Sequence, residues 1–257
     1  MRSTTWKGRT GLQFEILARR SGLRHVFTTR TGPGTGDGNL SLSGGRDRAA
    51  ALEERSVWSA FLGVDPGDWV VGGQVHGAGL HVAGRADRGR GACDPSGVIP
   101  ETDGLLTAEC GLPLYVAVAD CAAVLLLAPG PALAVVHAGW RGLAAGILPK
   151  AVEGLAGLSG RPPAEFLAGI SPCIGPPGFE VGEEVAELAP ESRRFRAGGR
   201  WHVDLPGWAA DQLEASGLAP AAVETAGLDT MARPDLFFSH RRDGPETGRM
   251  GLIAVLA

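Results

Sequence analysis

The sequence is short of lysine, of paired cysteines and of long apolar runs, and each shortage excludes something. Lys7 and Lys150 are the only lysines among 24 basic residues. With so many alanines and glycines alongside, this arginine bias reads as GC-rich codon usage rather than a basic binding face. The net charge of -4 argues against nonspecific nucleic-acid binding, which rests on such a face. The four cysteines, Cys93, Cys110, Cys121 and Cys173, form no CxxC pair and no dense cluster. In a chain of this length that excludes a disulfide framework and leaves reduced thiols as the expectation. The longest apolar run, residues 114–129, is interrupted by Asp120 and is too short to cross a bilayer. Residues 1–7 lead into no apolar h-region, so no signal peptide is expected and the expected location is the cytoplasm.

Several catalytic signatures are missing as well. The glycine-rich stretch 31–38 does not have the GxGxxG spacing, and no GxxxxGK(S/T) phosphate loop occurs. There is no GxSxG elbow. The zinc deaminase signature H-x-E…P-C-x-x-C is also absent: small residues follow His76 and His137, and Pro172-Cys173 has no second cysteine.

What remains is an ordinary globular composition, 44% hydrophobic and 20% charged over 257 residues, enough for one large domain or two small ones. No internal repeat or long polar linker divides it. Four helices are expected: Arg48–Leu62, stopped by Gly63; 143–155, with Pro149 kinking it or marking its start; 181–188; and 205–216, capped by Asp204 and ended by Gly217. Strands are expected at 12–17, 25–28, 69–71, 80–82, 114–118, 124–127, 132–136, 166–170 and 236–239. Residues 85–100, rich in Gly, Arg and Asp, read as an exposed loop. Strands and helices alternate without a steady βαβ rhythm, which favours a mixed α+β fold over a doubly wound nucleotide fold.

The most informative pair of segments is Ala119-Asp120-Cys121 and His137-Ala138-Gly139-Trp140-Arg141-Gly142. The runs 124–127 and 132–136 flank the turn Pro129-Gly130-Pro131 and read as a β-hairpin. Paired antiparallel, they bring Cys121 and His137 nearly opposite each other at the open end. A thiolate and an imidazole that close are plausible zinc-type ligands, and His76, just after another apolar run, is a third. Three protein ligands leaving one position open is how catalytic zinc is held, whereas structural zinc takes four. Taken singly, each residue reads equally as a buried thiol or a core histidine; together, at strand ends, they favour a metal. Asp120 is a candidate base, a support for the ligands, or a turn cap.

The remaining constellations concern anions. Arg141 stands where a helix is expected to open, a place suited to an anion or to a plain strand-to-helix turn. Ser239-His240-Arg241-Arg242-Asp243-Gly244, followed by Thr247-Gly248-Arg249, holds a basic cluster that can fork around phosphate, or pair with Asp243 and Glu246 on a solvated hairpin. Arg30, before the glycine loop, is a second such candidate. Cys173, in a Pro/Gly turn, reads as structural.

Taken together, these segments resemble the multicopper-polyphenol-oxidase-like, laccase-domain family, whose members are also called purine nucleoside phosphorylase family proteins or peptidoglycan editing factors. The matching pieces run in order from Phe27-Thr28-Thr29-Arg30 and Asn39-Leu40 through Gln74-Val75-His76-Gly77, Thr102-Asp103-Gly104, Ala119-Asp120-Cys121, the His137 segment and Pro172-Cys173-Ile174-Gly175 to Phe237-Phe238-Ser239-His240-Arg241-Arg242. The resemblance implies a single domain over 1–257, a layered sandwich of mixed β-sheets flanked by helices. It implies a zinc ion held by His76, Cys121 and His137, with copper as the other possibility. The implied reactions are phosphorolysis of adenosine, inosine and S-methyl-5'-thioadenosine, and deamination of adenosine. Cys121 and His137 with Asp120 then carry the catalytic centre, while Arg30, Asn39, Arg141, Arg241 and Arg242 face purine nucleoside and phosphate. Copper-dependent phenol oxidation is the alternative, against which stand the chain's 6 histidines, few for a multicopper site. Editing of peptidoglycan precursors is a third reading. The chain departs from the family at Ala122-Ala123, at Pro176-Pro177-Gly178, at Asp229 and at Glu54, none of them a ligand but all bearing on pocket shape.

Overall fold

The computed structural model describes residues 1–30 and 37–257; most of the glycine stretch read as a loop over 31–38 lies outside the described residues. The strands are β1 (Arg2–Trp6), β2 (Arg9–Gln13), β3 (Leu23–Thr28), β4 (Val70–Val71), β5 (Leu80–Val82), β6 (Gly104–Thr107), β7 (Leu114–Val118) and β8 (Ala122–Ala128). They continue with β9 (Ala132–Ala138), β10 (Leu167–Ile170), β11 (Glu180–Val181), β12 (Arg194–Ala197), β13 (Arg200–Val203), β14 (Val223–Thr225) and β15 (Met250–Leu256). The helices are α1 (Glu15–Ala18), α2 (Arg48–Leu62), α3 (Trp140–Ala144), α4 (Ile147–Ser159), α5 (Glu183–Ala186), α6 (Leu205–Ala215) and α7 (His240–Asp243).

Two six-stranded sheets dominate, in the spatial orders β1-β2-β3-β15-β7-β4 and β14-β10-β8-β9-β6-β5, with a small sheet β11-β13-β12 beside them. Most pairs are antiparallel; β4 with β7, β5 with β6 and β10 with β14 are parallel. Because successive strand residues point to opposite faces, each large sheet has two buried sides. Leu125, Leu133 and Val135 of the second sheet pack against Phe27, Val116 and Leu252 of the first. Their neighbours Val124, Leu126 and Val136 pack instead against Leu148 and Val152 of α4 and Leu213 of α6. On the far side of the first sheet, Val26, Tyr115 and Ile253 meet Trp58 and Leu62 of α2. The result is the expected mixed α+β sandwich in four layers, helix–sheet–sheet–helix. Burial on both faces explains why β8 and β9 read as continuous apolar runs rather than alternating ones. Truncating a fully buried leucine here, such as Leu125, removes about 2–5 kcal/mol. Among the described residues no helix is long and apolar enough to cross a membrane.

Four expected elements are corrected. The strand read over 12–17 ends at Gln13 and gives way to α1. There the Phe14 N–H donates to His25 Nε2 at 3.0 Å and the Ile16 N–H to Glu224 Oε2 at 3.0 Å, so side chains take the donors a ladder would use. The helix read over 143–155 is two helices, parted at Gly146 with φ +73°. Pro149 sits in the first turn of α4, where its missing N–H has no intrahelical acceptor to lose, so it marks a start and not a kink. The helix read over 181–188 splits at Gly182 into β11 and α5, with Val181 paired to Trp201. Residues 236–239 form no strand; they turn into α7, with Phe237 and Phe238 buried between the sheets. Meanwhile β15, absent from the expected strands, lies between β3 and β7 near the centre of the first sheet.

Candidate metal centre

The hairpin of β8 and β9 pairs in the expected register, with Val124 opposite Val136 and Ala123 opposite His137. Cys121 stands just before the ladder and His137 just before its end. His76 arrives on the loop after β4, and its ligand atom lies with those of Cys121 and His137 inside a group whose members are all within 4.8 Å of one another. The two imidazoles meet edge to face, 4.8 Å between centroids. His76 is exposed, Cys121 half-buried and His137 buried, so solvent reaches the cluster at His76.

One buried carboxylate organises all of this. Asp103 Oδ2 accepts from the N–H groups of Val75 at 3.2 Å and Gly77 at 2.8 Å, and Oδ1 accepts from the His76 N–H at 2.9 Å. The same Oδ1 accepts from His137 Nδ1 at 2.8 Å. An ionised carboxylate can only accept, so the His137 proton resides on Nδ1 and Nε2 is left for a ligand, the arrangement that orients metal-binding histidines. The three backbone bonds also hold His76 at φ +61°, a left-handed conformation that costs a non-glycine residue on the order of 1–3 kcal/mol. Gln74 fastens the same loop to β7 by donating to the Ala117 carbonyl and accepting from its N–H, both at 2.9 Å. Two glycines of the His137 segment permit the close approach. A Cβ on Gly139 would stand 2.9 Å from Cys121 Sγ, and one on Gly142 would stand 2.8 Å from the Gly77 carbonyl.

The electrostatics favour a thiolate on Cys121 paired with a charged His137, whose Nε2 proton is the one a metal ion would displace. Burial works against a charged Cys121, but the charge of His137 and hydrogen bonds from both histidines outweigh it and bring the thiol to about 6. Burial opposes a charged His137 too, yet Cys121 and Asp103 lift it to about 9. Asp103, despite its burial, is held below the usual carboxylate range by His137 and the Gly77 and Val75 N–H groups. A thiolate is thus present at neutral pH, the form in which cysteine binds metal. Two oriented nitrogens, a thiolate and a glycine cradle fit a bound metal ion. By contrast, burial pushes the Cys173 thiol far up, which suits the structural part expected of it.

The cluster lies in a cavity of about 650 Å³. Of the residues expected at a substrate site, Arg141 and Arg241 line it, as do Asp120, Cys121 and His137. Arg141 stacks on Trp140 at 4.3 Å; Arg241 reaches the Glu180 carbonyl at 2.7 Å. Arg30, Asn39 and Arg242 are placed off the cavity. Arg30 lies over Phe238, 4.9 Å from its centroid. Asn39 accepts from the N–H groups of Ser41 and Arg249. Arg242 is spent on the carbonyls of Thr230, Met231 and Phe237 and on Asp243. Asp120 is occupied as well: it accepts from Thr230 Oγ1 at 2.6 Å, Ser239 Oγ at 3.0 Å and the Arg241 N–H at 2.7 Å. With φ +86° it ties the C-terminal segment to the turn that carries Cys121. The sequence shows Asp103 and Arg55 only as parts of family segments and Arg249 only as part of the basic cluster, with no site role expected of them, and it does not single out Tyr115. The stretch 85–100, expected as an exposed loop, has Ala92 and Ile99 buried and supplies Gly91, Pro95 and Val98 to the cavity wall.

The family described as multi-copper polyphenol oxidoreductase laccase matches residues 24–257. A protein of Geobacillus stearothermophilus named purine nucleoside phosphorylase YlmD is 35% identical over 221 residues, 82% of this chain and 81% of that one. One of Bacteroides thetaiotaomicron named purine nucleoside phosphorylase is 30% identical over 260 residues, 95% of each chain. The crystal structure of YlmD from Geobacillus stearothermophilus superposes with a TM-score of 0.89 at 29% identity, covering 98% of this chain and 97% of that one.

Proposed function

This chain belongs to the multi-copper polyphenol oxidoreductase laccase family, and we propose that within it the protein is a zinc-dependent purine nucleoside enzyme. Its reactions in this reading are phosphorolysis of adenosine, inosine and S-methyl-5'-thioadenosine, and deamination of adenosine. Relatives named purine nucleoside phosphorylase support the first of these. The observation that carries the reading is the His76–Cys121–His137 group opening into a cavity whose described lining holds four arginines and a single carboxylate, Asp120. That balance of charge suits a phosphate co-substrate. The cytoplasm is the compartment we assign, in keeping with four free cysteines.

A zinc ion held by the three side chains supplies Lewis-acid chemistry and brings the ionisation of water into the neutral range. The rest of the work falls to the protein. Asp103 fixes the His137 tautomer and the His76 backbone. The arginines of the cavity hold phosphate through charge-assisted hydrogen bonds and set it against the ribose C1′ as the base departs. Trp140 and Phe179 give the purine apolar walls and limit water. Asp120 acts by positioning, since each of its oxygens already accepts a hydrogen bond.

The test is chromatography of adenosine incubated with zinc-loaded protein, with and without phosphate. Adenine that appears only with phosphate supports phosphorolysis; inosine formed without phosphate supports deamination. Intact adenosine in both tubes sinks the reading. The copper alternative uses the same three side chains, since two imidazoles and a thiolate also suit copper. It predicts a visible absorption band and oxygen uptake with a phenol.

A further inference from the structure

The metal cluster occupies one end of the cavity, and the other end is built differently. Tyr115, Ala117 and Ala119 line it at the two-residue spacing of one strand face and lead along β7 toward Asp120 and Cys121. Over Tyr115 lies the guanidinium of Arg55, 5.0 Å from the ring centroid and 5.3 Å from that of Trp69. Arg55 is buried on α2, where Nε donates to the Leu40 carbonyl at 2.9 Å and Nη1 to the carbonyls of Gly91 at 3.0 Å and Ala92 at 2.6 Å. Arg249, just before β15, also lines the cavity, and its Nη1 donates to the carbonyls of Thr247 at 2.6 Å and Gly248 at 3.1 Å. Among the described residues neither guanidinium has a carboxylate within ion-pair distance. The charges of Cys121 and Asp120, and the Tyr115 hydroxyl, all act on Arg249, so it lies within reach of both ends. The Tyr115 hydroxyl is buried beside the Arg55 guanidinium, and among the described residues it has no acceptor for its own proton.

Two guanidinium groups in or near the interior without a counter-ion, beside a buried hydroxyl without an acceptor, are unfavourable unless something supplies negative oxygen. Neutral carbonyls satisfy part of Arg55 and none of its charge. Burial pulls both arginines toward losing that charge, as expected of cations that lack an anion. An oxyanion would meet every unmet need at once: it accepts from the arginine forks and from the tyrosine hydroxyl.

We propose that Arg55, Arg249 and Tyr115 form an oxyanion subsite that takes a phosphate group at the end of the cavity away from the metal ligands. Its role as the co-substrate site rests on the purine nucleoside reading above; its existence as an anion site does not. The phosphate comes either free or as the phosphoryl group of a nucleotide. Arg55 and Tyr115 fix the anion, and Arg249 holds it on the side facing the metal centre.

The experiment is calorimetric titration of the zinc-loaded protein, without nucleoside, using inorganic phosphate in one arm and adenosine 5'-monophosphate in the other. Arg249→Gln should weaken phosphate by about 10–100-fold, the range for a hydrogen-bonded charge. Tyr115→Phe should weaken it by about 3–10-fold with little change in melting temperature, because the hydroxyl proton has no acceptor to lose. Arg55 is left alone, since its three carbonyl bonds make folding the first casualty. Phosphate binding within two-fold of the parent in both variants, or no binding by the parent of either anion, overturns the subsite. Binding of the nucleotide alone, weakened in both variants, keeps the subsite and makes the nucleotide its source. If phosphate binds as expected but adenosine stays intact, the purine reading falls and the subsite stands. If phosphorolysis proceeds and the KM for phosphate is unmoved in both variants, the subsite falls and the purine reading stands.

Discussion

Replacing Asp103 by asparagine isolates the contribution of a single buried carboxylate to the metal centre. In the parent, the two oxygens accept four N–H groups, those of Val75, His76 and Gly77 and the His137 ring. Asparagine is nearly the same shape but offers one acceptor oxygen and an amide that donates. Whichever way the amide turns, one edge sets donor against donor: either Val75 and Gly77 lose their acceptor, or His76 and His137 do. Hydrogen bonds to a charged group contribute about 1.5–3 kcal/mol each, so two lost bonds place the damage at about 3–6 kcal/mol before relaxation. Part of that falls on stability, because His76 is no longer held at φ +61°. Part falls on metal affinity, because the His137 tautomer is no longer fixed; removing such a partner weakens metal binding by about 10–100-fold. The assay is a zinc titration against a competing chelator, with melting temperature followed on the same samples. Affinity within two-fold of the parent would refute the reasoning, whatever happened to the melting temperature, because it would mean that Asp103 holds the loop without orienting the ligands.

Other outcomes follow from the same geometry. Cys121→Ala should abolish zinc retention after dialysis, read by elemental analysis; full metal content would remove Cys121 from the ligand set. Gly139→Ala places a methyl 2.9 Å from Cys121 Sγ, and overpacking of about 1–3 kcal/mol should appear as weaker zinc binding, with parental affinity contradicting the cradle. Asp120→Asn should lower turnover while leaving the shape of the pH–rate profile unchanged, because the carboxylate positions Thr230, Ser239 and Arg241; loss of one limb of the profile would make it a base after all. His25 is buried as an acceptor for the Phe14 N–H, and burial lowers its pKa from 6.5 to about 4. The unfolded chain therefore takes up a proton first as the pH falls, and stability should drop across the window from 6.5 to 4 by about 3 kcal/mol. His25→Gln, which can still accept, should flatten that part of the urea-unfolding profile, and an unchanged slope would count against it.

What the sequence disclosed depended on where each residue's meaning resides. The β8–β9 hairpin was legible because two apolar runs flank a Pro-Gly-Pro turn, and the His76–Cys121–His137 cluster was legible because cysteine and histidine at strand ends bring their chemistry with them. Local pattern misled at residues 12–17, where Leu12, Phe14 and Ile16 alternate as a strand would; His25 and Glu224, far away in the chain, capture the N–H groups and turn the backbone into α1. The run in β15 was passed over because a short apolar stretch fits a buried strand or a helix equally well, and only its pairing with β3 and β7 decides.

The residues around the ligands were opaque for a different reason. An aspartate before a glycine, as in Asp103-Gly104, reads as a turn, and nothing near it in sequence announces that it will receive the backbone of residues 75–77 and the ring of His137. Arg55, on a helix, reads as a solvated face until α2 is laid on the first sheet and buries it over Trp69 and Tyr115. The anion candidates with the most conspicuous local signal, Arg242 and Arg30, are spent on carbonyls and on Phe238, whereas Arg55 and Arg249 carry charge into the cavity without a carboxylate beside them. A cationic side chain takes its role from its partners, and partners are a property of the fold. The cluster of His76, Cys121 and His137 therefore marks where the proposed chemistry would occur, but what the site would accept turns on Asp103, Arg55, Arg249 and Tyr115, whose partners became visible only when the sheets were assembled.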